Sequence, residues 1–263
     1  MVLKLMPFNI EVCGLSDIGL VRDNNEDLWA EMPQINTYAL ADGMGGHRAG
    51  EVASFQAITV FQQLMGKIFL NRNTQLSLGE SRFEIEHVLT LVNTHVYQMG
   101  CRDPELRGMG TTFCCLFFHE QGLVYGHIGD SRIYRLRDSK LEQMTKDHSL
   151  LRQMLDLGQL DEKGEKEFLY KNIITKAIGT EAYVEPSVYV ADLLVDDIYL
   201  MCTDGLSDLV PFKEIERVLS EGTPEEQATK LVKIAKEKGG HDNITVVAIK
   251  VREGAHGEKN LSG

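Results

Sequence analysis

The sequence predicts an α+β protein in which helices cover the outer faces of packed antiparallel sheets. Three observations carry that class. Short apolar runs of strand length recur along most of the 263 residues. Turn chemistry separates neighbouring runs, and helical patterns interrupt them in pairs instead of following every strand.

The runs, in order, are FNIEVCGLSD, TYALADG, TTFCCLFF, GLVYGHIG, SRIYRLR, NIITKAIG, SVYVADLLV, DIYLMCT and NITVVAIKV. HEQG, RDSK and LVDD join members of this series as hairpin or meander connections. Two helices lie between the second and third runs. Residues 49–69 place Val52, Phe55, Ile58, Met65 and Ile68 along one face. Residues 82–99 set Ile85, Val88, Leu89, Val92, Val96 and Met99 at helical spacing, and residues 71–81 read as the polar loop between the two helices. Residues 147–172 begin like a short helix and then become densely charged, which predicts a surface excursion bordering a site. In TPEEQATKLVKIAKEKG, Thr223 and Glu226 are placed for a capping box, Pro224 for the first helical position, and Gly239 for the stop. A single domain is expected over residues 1–252, with residues 253–263 as a disordered tail.

Composition narrows the class of function. With 27 basic against 39 acidic residues, the net charge of -12 opposes nonspecific binding to nucleic acid or an anionic membrane. Five cysteines with no CxxC spacing argue against a disulfide framework or a structural zinc site. The start has no long apolar segment, and no run of about eighteen apolar residues occurs, so a reduced cytoplasmic protein is expected.

Four acids stand where apolar runs end or begin: Asp42 in YALADGMGG, Asp130 in VYGHIGDSR, Asp204 in IYLMCTDGLSD and Asp242 in GGHDNITVV. A carboxylate is costly to bury alone. If the strands are neighbours, the four gather on one rim, where they repel unless a cation sits among them. Oxygen ligands without thiolate or a His pair favour Mg²⁺ or Mn²⁺ over zinc. Gly43 and Gly205, each directly after an acid, are expected to turn the backbone tightly and bring a carbonyl close to an ion. SDIGLVRDNNED adds Arg22, a planar donor fork suited to phosphate, followed by Glu26 and Asp27.

RDNNED, ADGMGGHRAGEVAS, GMGTTFCC, GHIGDSRIYRL, TKDHS, NIITKAIG, CTDGLSD and GGHDNITVV resemble, in order and spacing, the metal-dependent serine/threonine protein phosphatases (the PPM family, type 2C) in their compact bacterial form. The resemblance runs from about residue 11 to residue 251. It implies a central sandwich of two antiparallel sheets, pairs of helices on both outer faces, and a dinuclear Mg²⁺ or Mn²⁺ site at one end. By motif, Asp42 would bridge the two ions, the Gly43 carbonyl would ligate one, Asp204 and Asp242 would complete the pair, and Glu26 would act through a coordinated water. Arg22 would hold the substrate phosphate. Asp130 and Asp208 match the ligands of a weaker third ion, Asn243 would support the Asp242 turn, and residues 147–172 fall where the family has its flap. A water activated between the ions would hydrolyse phosphoserine or phosphothreonine in proteins with no covalent intermediate. The partners implied are phosphorylated proteins, including a Ser/Thr kinase and its substrates, for a monomer that binds neither nucleic acid nor membrane. Eukaryotic relatives carry a His after the Asp-Gly, thought to protonate the leaving group; Met44 stands there in this chain.

A thiolate phosphatase is the sharpest rival, because Cys101 and Arg107 have the Cys-x5-Arg spacing. It fails on chemistry: Pro104 lacks an N–H for the phosphate cradle, and Asp103 and Glu105 would repel the anion.

Overall fold

Runs such as IYLMC are apolar at every position because both faces of the strand are covered. The computed structural model describes residues 7–45, 49–70, 75–160, 164, 168–170 and 173–254. Within them the strands are β1 (Phe8–Asp17), β2 (Asp27–Met32), β3 (Thr37–Met44), β4 (Gly110–Thr111), β5 (Phe113–His119), β6 (Gly122–Ile128), β7 (Arg132–Arg137), β8 (Lys140–Gln143), β9 (Ser187–Ala191), β10 (Ile198–Cys202) and β11 (Ile244–Glu253). The helices are α1 (Ala49–Phe69), α2 (Leu78–Arg102), α3 (Leu150–Asp156), α4 (Asp204–Ser207), α5 (Phe212–Leu219) and α6 (Pro224–Glu237).

One sheet has the order β1-β11-β10-β7-β8. The other has β2-β3-β5-β6-β9, with β4 beside β3, and the pairings are antiparallel. Alternation along each strand divides its side chains between two cores. Tyr199 and Met201 of β10, with Val247, Ile249 and Val251 of β11, join Tyr38, Leu40, Leu116 and Phe118 between the sheets. Leu200, Cys202, Val246 and Ala248 face the other way, against Ile215, Val218, Leu231 and Ala235 of α5 and α6. Ala39, Ala41, Phe113 and Cys115 pack against α1 and α2. The result is the expected sandwich with helices on both outer faces.

Several local expectations need correction. The core face of α1 is Ala53, Ala57, Ile58, Phe61 and Met65, while Phe55 is 55% exposed; the alanines let the helix lie close to its sheet. α2 starts inside the segment read as a loop, because Ser77 and Glu80 form a capping box. Residues 71–74 of that segment lie outside the described residues. Among the described residues of NIITKAIG, 173–179, there is no strand, only isolated bridges from Ile174 to Ser149 and from Ile178 to Thr111. Its backbone is divided among separate partners: Thr175 N donates to the His148 carbonyl at 2.8 Å, Ile178 N to the Thr111 carbonyl at 2.9 Å, and Gly179 N to Asn93 Oδ1 at 2.8 Å. β2 and β8 escaped the pattern because polar residues break up their short runs. Glu253, read as the start of the tail, pairs with Phe8 at the end of the β1–β11 ladder; residues 255–263 lie outside the described residues. The α6 expectations hold, with both halves of the Thr223–Glu226 capping box formed and Gly239 at φ +128°.

Candidate active site

Strand register alone brings the acids to one end of the sandwich. Asp27 at the start of β2 lies directly across from Asp42 near the end of β3. In the other sheet, Cys202 pairs with both Val246 and Arg132, so Asp204, Asp242 and Asp130 leave β10, β11 and β7 at the same edge. Five acids from five segments therefore meet at the mouth between the sheets.

Hydroxyls and amides fix the carbonyls and strand ends around them. Asp42 N donates to Thr112 Oγ1 at 3.1 Å, and the Asp42 carbonyl accepts from Thr111 Oγ1 and Thr112 N, each at 2.8 Å. Thr203 Oγ1 donates to Asp27 Oδ2 at 3.0 Å. α4 begins at Asp204, and Asp208 N donates to the Asp204 carbonyl at 2.8 Å, so Asp208 lies one turn on. Gly43 and Gly205 are needed, but not for a left-handed turn. A β-carbon on Gly43 would collide with the carbonyl oxygens of Gly50 and Glu26, and one on Gly205 with the carbonyl of Asn243. They permit close packing of backbone on backbone.

Asn243 is the organiser of the loop that carries Arg22 and Glu26. Its Oδ1 accepts from Glu26 N at 2.8 Å, while its Nδ2 donates to the carbonyls of Ile18 (3.0 Å) and Asn24 (2.9 Å). Lys236 reaches Asp17 at 2.7 Å at the base of the same loop. Arg22 is thereby delivered to the rim, where its Nη2 lies 2.7 Å from Asp242 Oδ2.

Charge strain pervades the cluster. Burial pushes Asp42 well above the ordinary carboxylate range, and the charges of Asp27, Asp204, Asp130 and Asp242 add to it. Burial likewise carries Asp130 up to about 7, helped by Asp204 and Asp147. Asp204 rises to about 6 through burial and then through Asp208 and Asp242. Asp27 is pushed up to about 7 by burial, even though Thr245 and Thr203 offer it hydroxyls. Glu26 is raised too, by burial first. Asp27 Oδ1 and Asp130 Oδ1 are buried without a hydrogen-bond partner. Each is a lone pair without a donor, in a set of hard oxygen ligands, and divalent Mg²⁺ or Mn²⁺ fits that chemistry.

The side chains share the rim without closing on a common point. Among the described residues, no group of three or more His, Cys, Asp or Glu side chains has ion-holding geometry. Asp242 is turned toward Arg22. Asp27 was the residue that sequence reasoning passed over as part of a polar stretch; its position opposite Asp42 needs the β2–β3 register. The Cys101 rival finds no cradle. Cys101 is exposed at the end of α2, and Glu105 N is already bonded to Asp103 Oδ1 at 3.0 Å.

Residues 21–236 match the family model described as Protein phosphatase 2C. The chain belongs to the protein phosphatase 2C family. It is 36% identical over 249 residues to protein phosphatase PhpP of Streptococcus pneumoniae, spanning 93% of this chain and 98% of that one. It is 33% identical to the serine/threonine phosphatase stp of Listeria monocytogenes, over 89% of this chain and 93% of the relative. Among solved structures, the catalytic domain of the serine/threonine protein phosphatase PstP in complex with two manganese ions superposes with a TM-score of 0.81. That match has 34% identity and covers 93% of this chain and 99% of that one. Membership explains the order of the motifs, and the sandwich agrees with the family fold.

Proposed function

We propose that this chain hydrolyses phosphoserine and phosphothreonine in proteins, using two Mg²⁺ or Mn²⁺ ions held by Asp42, the Gly43 carbonyl, Asp204, Asp242 and Glu26. The observation that supports this most is the convergence of buried, mutually raised carboxylates beside a guanidinium. The manganese pair of the similar PstP domain points the same way.

When bound, such ions supply Lewis acidity that activates water and offsets charge on phosphoryl oxygens. Asp42, whose backbone Thr111 and Thr112 brace, would be one of the carboxylates that hold the ions. Arg22 is the phosphate holder: its fork reaches the rim, and a phosphate dianion competes for it against Asp242. Holding the ester there aligns phosphorus for in-line attack. Asp130 and Asp208 flank Asp204 as candidate ligands of a weaker third ion, and Met44 supplies no proton, so the leaving alkoxide takes one from water.

In this reading the substrates are phosphorylated proteins, including a Ser/Thr kinase and its targets, and the enzyme is a cytoplasmic monomer of one domain. Among the described residues no helix is long and apolar enough to cross a membrane. The test is hydrolysis of p-nitrophenyl phosphate and a phosphothreonine peptide with and without Mn²⁺. Asp42→Asn should cut turnover by several orders of magnitude. Activity within about tenfold of the parent, roughly 1.4 kcal/mol of barrier, would sink the assignment.

A further inference from the structure

A cavity borders the rim. It encloses about 530 Å³ between α3, the start of β7 and the chain leaving α4. Its walls are tied to the acids along the chain. Arg132 follows Asp130 by two residues, and Ser207 lies between Asp204 and Asp208.

The lining is unlike the rest of this acidic protein. Arg132, Lys146 and Arg152 supply three cations, against the single acid Asp147. Asp147 is fully engaged: both of its oxygens accept from Arg132, the shortest contact being 2.7 Å, and Oδ1 also accepts from Gln143 Nε2 at 2.9 Å. Lys146 and Arg152 share one carboxylate, Asp156, at 2.6 and 3.0 Å. Two cations on one anion leave a positive charge uncompensated among the described residues. Both cations remain about half exposed, so they are open to a ligand. Leu151, Leu155, Val210 and Phe212 supply apolar surface in the same cavity. The matching ligand has an anionic head and an apolar body.

We propose that this cavity is a subsite for the substrate polypeptide, taking an acidic side chain adjacent to a bulky apolar one near the phosphorylated residue. The proposal rests on the phosphatase reading above, which puts a phosphoprotein segment at the neighbouring rim. The acidic head meets Lys146 and Arg152, and the apolar neighbour lies on Leu151, Leu155 and Phe212. Substrate selection then comes from contacts beyond the phosphate, which improve binding without touching the reacting atoms.

The experiment compares phosphothreonine peptides in which a Glu-Leu pair is scanned along both sides of the phosphoresidue with Gln-Ala twins. At the favoured position the wild type should show about a tenfold lower KM for the Glu-Leu peptide with kcat unchanged, equivalent to about 1.4 kcal/mol. The advantage should shrink with added salt, because the cations are exposed. The Lys146→Gln/Arg152→Gln double variant should lose the salt-sensitive part of that advantage, which the Glu carries, and keep only what the Leu contributes on the unaltered apolar wall. These side chains are exposed, so the variant keeps its fold, which a melting curve checks. Equal kinetics for all twins in the wild type, or an advantage that is undiminished in the double variant, overturns the subsite while leaving the phosphatase intact. Failure to hydrolyse any phosphopeptide, or p-nitrophenyl phosphate with Mn²⁺, overturns the phosphatase reading and the subsite with it.

Discussion

Replacing Asp27 by asparagine should stabilise the metal-free protein at alkaline pH. Asp27 is 7% exposed, and burial pushes its carboxyl up to about 7. In the unfolded chain it returns to about 3.9. The folded state therefore holds the proton more tightly. Its contribution favours folding below about pH 4 and is lost as the pH rises toward and through 7. At pH 8 the gap corresponds to about 4 kcal/mol of lost stability. Part of the gap belongs jointly to Asp204, whose charge adds to the shift, so one substitution should recover about 2–4 kcal/mol. The substituted amide cannot ionise, and its oxygen can still accept from Thr203 Oγ1. The assay is thermal melting in EDTA. Asp27→Asn should melt about 5–10 °C above wild type at pH 8, with the difference closing as the pH falls toward 4. Saturating Mn²⁺ should erase or reverse the advantage, because a bound cation offsets the charge that the substitution removes. A variant that melts at or below wild type in EDTA at pH 8 would refute the electrostatic argument.

Arg22→Ala should raise KM and lower kcat together in steady-state assays on a phosphopeptide, because one contact serves binding and alignment; unaltered kinetics would remove Arg22 from the site. Asn243→Ala removes three hydrogen bonds of a buried side chain to part-buried backbone groups, Glu26 N and the carbonyls of Ile18 and Asn24, so denaturant titration should show a loss of about 1–2 kcal/mol. KM should rise as well, as the Arg22 loop loosens. Asp208→Asn should retain two tight metal ions by calorimetry and yet lose turnover on phosphopeptides. Full turnover in that variant would leave Asp208 as a structural acid of the α4 turn.

Much of the site was legible in the sequence because its signals are local. An apolar run that stops or starts beside a carboxylate records both the strand and its end: Asp42, Asp130 and Asp204 follow such runs, and Asp242 precedes one. The capping box at Thr223 and the helical spacing through Ile85 and Val96 were equally readable, since both depend on neighbours within a turn or two. Where local pattern was overruled, packing was the cause. Phe55 has the right spacing for the core, yet Ala53 and Ala57 hold that face because the helix sits close to its sheet. NIITKAIG has strand composition, yet its backbone groups are shared among Leu150, His148, Thr111 and Asn93 instead of one neighbouring strand.

The sequence by itself therefore determined the layered class, the family and the identity of the acids, because periodicity and residue type are properties of short segments. Only the tertiary structure decided that Asp27 faces Asp42, that Arg22 meets Asp242 across 220 residues, and that Gly43 and Gly205 serve close approach instead of a turn. It also decided that Lys146 and Arg152 share one carboxylate beside an apolar wall. These facts depend on register, burial and the distance between charges, and those quantities exist only once the chain has brought remote segments together.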